Sequence, residues 1–339
     1  MRKTSCWRAR AWRFGVVVLL GSGLSGCSRQ SILADHSKTT HDIGLLWWWM
    51  LGAAVIVFFG AVALLFIAFL RRKIPGLPVF GESEKVAQGM VLLFGIGVPL
   101  VCLVVLFGFA DVYLVNVTAA PAADTTAMTI NVIGHQWWWE IRYDGGKAIT
   151  ANEIHIPVRT RVNVVATTAD VIHSFWVPAL NGKIDMIPGR RNRELLDASQ
   201  PGVYRGQCSQ YCGLQHAHMA FLVYAQPMGK FKAWLTNQEK PAVTPTGAAA
   251  VRGKADFMSD QCSSCHYIAG TQARGFIGPA LTHLATRSTL ASNTIPNTPR
   301  WLARWIHNPQ AIKPGDRMPD LGLPRGQIND IVAYLDELK

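Results

Sequence analysis

The sequence predicts a multidomain chain made of a two-helix transmembrane hairpin, an all-β Greek-key sandwich and a small all-α domain. Three observations predict it. Two long apolar stretches, at about residues 45–70 and 90–110, flank the basic cluster Arg71-Arg72-Lys73. Short β-branched runs punctuated by Gly and Pro fill residues 119–235. Beyond residue 250 the periodicity turns helical, around the segment Cys262-Ser263-Ser264-Cys265-His266. The predicted units are a signal segment at 1–26, an N-terminal segment with the hairpin at 27–118, the sandwich at 119–235, a linker at 236–250 and the helical domain at 251–339.

At the N-terminus, Arg2, Lys3, Arg8, Arg10 and Arg13 precede the apolar run Val16-Val17-Val18-Leu19-Leu20 and a stretch of small residues, the pattern of a signal peptide. Leu24-Ser25-Gly26-Cys27 resembles a bacterial lipobox, which implies cleavage before Cys27 and lipidation of its sulfur; the alternative is cleavage elsewhere, with Cys27 a free thiol. Each apolar stretch reaches the ~20 residues a helix needs to cross the hydrocarbon core. The positive-inside rule assigns Arg71-Arg72-Lys73 to the cytoplasm, so the sequence beyond about residue 118 faces outward. Trp47-Trp48-Trp49 opens the first span as an interfacial aromatic belt. The net charge of +12 then reflects the basic signal segment and cytoplasmic loop, and no nucleic-acid patch is evident.

Strands are expected at 128–134, 153–156, 161–167, 200–204 and 220–224, where β-branched residues alternate between turn signals. They fit a cupredoxin-like Greek key that brings His173 and a cysteine loop together at one end. That loop, Cys208-Ser209-Gln210-Tyr211-Cys212-Gly213-Leu214-Gln215-His216-Ala217-His218-Met219, holds two thiols, imidazoles and a thioether. A mononuclear blue-copper site needs two His, one Cys and a weak axial Met, so the surplus thiolate points to two metals, and sulfur with imidazole selects copper. A structural zinc site would also take Cys and His, yet it has no use for the trailing Met or the distant His173.

This pattern resembles the dinuclear copper (CuA) segment of cytochrome c oxidase subunit II. The resemblance implies His173, Cys208, Gln210 through its carbonyl, Cys212, His216 and Met219 as the ligands of two copper ions. His218 lies two residues past His216, and strand alternation would turn it the same way, but it does not match a ligand position. Many relatives carry Glu where this chain has Gln210, and that carboxylate helps bind Mg or Mn at a subunit interface; an amide oxygen is a poorer ligand for a hard cation. Gly134-His135-Gln136-Trp137-Trp138-Trp139 resembles the family's Gly-x-Gln-Trp-aromatic-Trp segment, which implies an electron-transfer role for Trp137; read from the residues alone, Trp137 is a core aromatic. Glu82 and Glu84 stand near a family glutamate of the second helix without matching its surroundings.

Cys262-Ser263-Ser264-Cys265-His266 is a CxxCH haem-attachment motif, with two thioether bonds from Cys262 and Cys265 and His266 as the proximal iron ligand. A thioredoxin-like dithiol is the competing reading of the CxxC, and the following His266 argues against it. The region resembles a class I cytochrome c, and Lys313-Pro314-Gly315-Asp316-Arg317-Met318-Pro319 matches the loop that delivers its distal ligand, Met318. Met258, His283 and His307 are the other candidates. Of the seven cysteines, four are thus spoken for, leaving Cys6, Cys27 and Cys102 and no disulfide framework. The linker reads as a flexible polar tether, with a span of roughly 20 Å and an effective concentration on the order of millimolar. The sandwich has eleven basic against eight acidic residues, so it lacks an acidic surplus for steering a free basic donor.

Together these motifs are similar to subunit II of caa3-type oxidases. The resemblance implies a bacterial inner-membrane, multi-pass subunit with its metal domains outside. It would pass electrons from haem c through CuA to a catalytic haem-copper subunit I that reduces oxygen in a proton-translocating complex. The implied partners are subunit I, further oxidase subunits, membrane lipid and an external donor, cytochrome c or a bc1-type complex. A haem-copper nitric oxide reductase using the same copper module is one alternative; a membrane-anchored copper-delivery or sensing protein is another.

Overall fold

The computed structural model describes residues 30–71, 83–111, 125–143, 145–259 and 261–339. The signal segment 1–26, Cys27, Arg72, Lys73 and Glu82 lie outside the described residues.

Helix α1 spans Lys38–Arg71, beginning before the expected start at residue 45. The reason is a reciprocal cap: Ser37 Oγ accepts from Thr40 N at 3.1 Å while Ser37 N donates to Thr40 Oγ1 at 3.1 Å, satisfying amides the first turn leaves free. Both residues are buried, and their hydroxyls donate to the Leu180 and Ala179 carbonyls of the sandwich. Helix α2 spans Glu84–Phe109. Its Leu93–Gly97 π turn comes just ahead of Pro99, whose ring and missing N–H disturb the regular ladder. Both helices are long and apolar enough to cross a membrane. Trp48, Phe58, Phe59 and Leu65 on α1 are exposed; large apolar side chains spread along a helix in this way belong in lipid.

Ten strands form the cupredoxin-like sandwich: β1 Met128–His135, β2 Trp138–Tyr143, β3 Ile149–Ala151, β4 Glu153–Pro157, β5 Val162–Thr168, β6 His173–Trp176, β7 Lys183–Met186, β8 Asn192–Leu196, β9 Gly202–Cys208 and β10 Ala220–Gln226. One sheet runs β3-β2-β1-β5-β8 and the other β4-β10-β9-β6-β7. Trp139, Phe175 and Phe221 pack between the sheets, each pair of rings within 6.2 Å. Gly206 makes room for that cluster, since a Cβ there would lie 2.2 Å from Phe221 Cζ. The order β10-β9-β6 positions the site: Phe175 on β6 pairs with Cys208 at the end of β9, and the cysteine loop connects β9 to β10. His173, at the start of β6, therefore meets a loop that follows it by more than thirty residues.

Helix α3, Met228–Gln238, takes in the first residues of the expected linker, and helix α4, Ala248–Ser259, takes in the last. The intervening stretch is laid on the C-terminal domain rather than free. Ala242 N donates to Ala269 O at 2.9 Å, His283 Nε2 contacts Lys240 O at 3.1 Å, and Thr246 N donates to Glu337 Oε2 at 2.9 Å. Its prolines remove donors, but the remaining polar backbone groups find partners on one surface.

In the C-terminal domain the short helix α5 (Cys262–Cys265), α6 (Pro299–His307) and α7 (Arg325–Asp336) surround an apolar core with α4. The α4–α7 crossing is close at Gly253, where a Cβ would stand 1.8 Å from the Asp330 carbonyl oxygen. Phe257 and Tyr334 meet beside it with ring centroids 5.9 Å apart.

Candidate copper and haem sites

Six sequence-predicted ligand positions converge. His173 Nδ1 lies 3.8 Å from Cys208 Sγ, the two sulfurs of Cys208 and Cys212 are 3.8 Å apart, and His216 Nδ1 lies 3.6 Å from Cys212 Sγ. Met219 Sδ is 3.8 Å from Cys212 Sγ, and the Gln210 carbonyl oxygen is 3.1 Å from Cys208 Sγ. His173, Cys208 and Cys212 form a buried group whose ligand atoms lie within 4.8 Å of one another. His218 turns away: His216–His218 is a 3-10 turn rather than a strand, and His218 Nδ1 faces Gln215 Oε1 at 2.8 Å. The Gln210 side chain is exposed and presents an amide where the expected Mg or Mn ligand would be a carboxylate.

The donor set fits copper. Two adjacent sulfurs between imidazoles and a thioether are soft donors held by a rigid sheet end. The hydrogen bond between the two thiols pulls Cys208 below its ordinary value, while the same contact and burial raise Cys212. The pair thus already favours a thiolate, the form that ligates.

Behind these candidate ligands stands Asp170, which the sequence did not single out. Its Oδ1 accepts from His173 Nε2 at 2.9 Å and its Oδ2 from Gln136 N at 2.7 Å. Burial alone would raise this carboxyl, but the hydrogen bonds from His173 and the Gln136 and Val171 amides hold it below its ordinary value. An acid three residues before the candidate ligand His173 is the signal that marks it.

The haem motif opens into a cleft between the two domains. Cys262, Cys265, His266 and Met318 line it from the helical domain, and Trp137 and Trp138 line it from the sandwich. His266 Nδ1 donates to Pro279 O at 2.8 Å, which leaves Nε2 free, and burial holds the imidazole below its ordinary value, in the neutral form a ligand requires. Gly278 allows the ring this position, because a Cβ there would come within 2.6 Å of His266 Cε1. The rival candidates lie elsewhere: His283 is held between Lys240 O and Lys339 O, His307 is exposed at the end of α6, and Met258 packs against the core.

The adjoining part of the cleft, which His266 and Met318 also line, fits an anionic porphyrin. Leu281, Leu302, Trp305 and Ile306 give it apolar walls, and Arg287 and Thr289 line it with Nε and Oγ1 atoms that have no hydrogen-bond partner. Arg287 donates through Nη2 to the Ala280 carbonyl and interacts with the Glu153 carboxylate, but its buried Nε has no acceptor, and a propionate of a haem would supply one.

Residues 147–226 match the family described as cytochrome C oxidase subunit II, periplasmic domain, and residues 250–339 match the family described as cytochrome c. Cytochrome c oxidase subunit 2 of Alkalihalophilus pseudofirmus is 33% identical over 290 residues, covering 82% of this chain and 81% of that protein. The chain belongs to the cytochrome c oxidase subunit 2 family. The subunit 2 of Bacillus sp. (strain PS3) is 31% identical over 264 residues, covering 74% of this chain and 72% of that protein. A crystal structure of the periplasmic domain of subunit II of the cytochrome oxidase of Bradyrhizobium japonicum is 31% identical and covers 35% of this chain and 96% of its own, with TM-score 0.33. The two matched domains imply copper and haem, and subunit 2 membership implies association with the other subunits of an oxidase.

Proposed function

We propose that this chain is the subunit through which electrons enter a haem-copper oxidase, from a covalent haem c to a dinuclear CuA centre and on to the catalytic subunit. When bound, haem and copper supply the reversible one-electron chemistry. In this reading Cys262 and Cys265 carry the haem, His266 and Met318 are its axial residues, and His173, Cys208, the Gln210 carbonyl, Cys212, His216 and Met219 hold the copper pair. Cys27 is the lipidated residue, the chain is multi-pass in a bacterial inner membrane, and both metal domains lie outside it. The domain limits are those read from the sequence, with the linker shortened to the stretch between α3 and α4.

One observation carries the proposal. Trp137 lines the cleft that contains Cys262, Cys265, His266 and Met318, and its indole Nε1 donates to the carbonyl oxygen of Cys212 at 3.0 Å. One side chain thus touches both candidate sites, which supports the electron-transfer role for Trp137. The cleft also weighs against copper delivery, because a carrier that releases its metal has no use for a second redox site beside it.

Cys208→Ser tests the assignment. The variant should lose the near-infrared absorption of the copper pair while keeping the haem spectrum. If the copper signal persists at full intensity, the ligand set is wrong.

A further inference from the structure

Lys313, the first residue of the loop that carries Met318, is 1% exposed, whereas a loop lysine is ordinarily solvated. Burying an ammonium is unfavourable unless it is paired and hydrogen-bonded. The pairing is local, with Asp316 Oδ2 at 3.3 Å, but the hydrogen bond crosses to the other domain: Nζ donates to the main-chain oxygen of Trp137 at 3.0 Å. Ser292 Oγ donates to the same oxygen at 2.6 Å. A carbonyl oxygen has two lone pairs, so the haem-bearing domain occupies the full accepting capacity of Trp137 O. The rest of Trp137 is committed as well, with its ring in the haem cleft and its Nε1–H on the copper loop.

Resting on the function proposed above, we propose that Lys313 is a positioning residue. It bolts the Met318 loop to the backbone of Trp137 and keeps the haem-bearing domain docked on the copper domain in one geometry, not as a shuttle on a tether. The contact is made only in the docked state. In an undocked domain Lys313 would keep Asp316 and turn to water, and Trp137 O would lose both donors. Two further contacts brace the same loop, from Gln215 Nε2 to Pro314 O at 2.7 Å and between Arg317 and Gln136 Oε1. Trp137, only 7% exposed, is thereby closed to an external protein donor, so electrons must arrive through the attached haem.

The test compares the full chain with Lys313→Met, which keeps the apolar stem and removes the donors, and Ser292→Ala, which removes only a hydroxyl. Hydrogen exchange is followed in peptides covering residues 136–139 and 288–293, with the α4–α7 crossing and β5 as internal references. Haem-to-copper transfer after flash reduction is measured on the same samples. Both variants should exchange faster at the interface with unchanged references and unchanged optical spectra. Transfer should slow by on the order of tenfold, a smaller effect than the ~100-fold that a ~1 Å misplacement can cost where bonds are made and broken. Should Lys313→Met also loosen the references, Ser292→Ala decides. Interface exchange and transfer at wild-type rates in Ser292→Ala and Lys313→Met would overturn the bolt. A wild-type interface that exchanges freely overturns it too, whereas a protected interface with no haem-to-copper transfer keeps the docking and defeats the proposed function.

Discussion

Asp170 stands behind His173, its Oδ1 2.9 Å from Nε2, so that the opposite ring nitrogen, Nδ1, faces the Cys208 sulfur at 3.8 Å. The carboxylate fixes both the tautomer and the tilt of the imidazole, the usual task of a group one bond removed from a metal ligand. Asp170→Ala should therefore weaken copper retention by about 10–100-fold. Copper content after dialysis against a graded chelator series measures it, and retention equal to wild type would refute the role.

Arg287 brings a buried cation into the haem cleft with its Nε unpartnered. A positive charge there favours the reduced haem, so Arg287→Met should lower the haem midpoint potential, with ~59 mV corresponding to each tenfold shift of a one-electron equilibrium. Spectroelectrochemical titration of the haem reads the change. A rise in potential would contradict the charge argument.

Glu194 is buried on β8 and burial alone pushes its carboxyl up to about 7. A carboxyl whose folded value exceeds its unfolded one binds more protons folded than unfolded. Stability is then lost as pH rises from the ordinary carboxylate range through about 7, and the loss is complete above that. Glu194→Gln should stabilise the sandwich at pH ~8 by up to about 3 kcal/mol and have little effect near pH ~4. Urea unfolding at the two pH values checks the sign; a larger gain at the acidic end would reverse it.

The α4–α7 crossing leaves no space at Gly253, where an added Cβ meets the Asp330 carbonyl. Gly253→Ala should destabilise the helical domain by about 1–3 kcal/mol through overpacking. Its haem-monitored unfolding midpoint should fall while copper binding stays unchanged. An unaltered midpoint would mean that the crossing relaxes freely.

How much the sequence disclosed differs between elements for physical reasons. Strands such as β1, β5 and β10 were legible because alternating or continuous β-branched runs carry a local signal. The strand bearing His173 was not, since β6 is four residues long and owes its pairing to β9 and β7. The short edge-proximal strands β3 and β7 and the Trp-rich β2 were missed for the same reason: their hydrogen bonds come from partners distant in sequence. The linker composition reads as flexible, yet its backbone groups find acceptors and donors on the helical domain that only the folded surface provides.

The sequence by itself determined the chemistry. Soft donors in the Cys208–Met219 loop, the CxxCH motif and two apolar spans are written in residue types and spacings, because ligand chemistry and lipid crossing depend on composition over short stretches. Only the tertiary structure decided the relationships between those parts: that Asp170 backs His173, that Arg287 waits in the cleft, and that Trp137 lies between two domains with Lys313 on its carbonyl. Such contacts join residues far apart in the chain, and their energy comes from burial and paired polar groups that exist only once both domains have folded against each other.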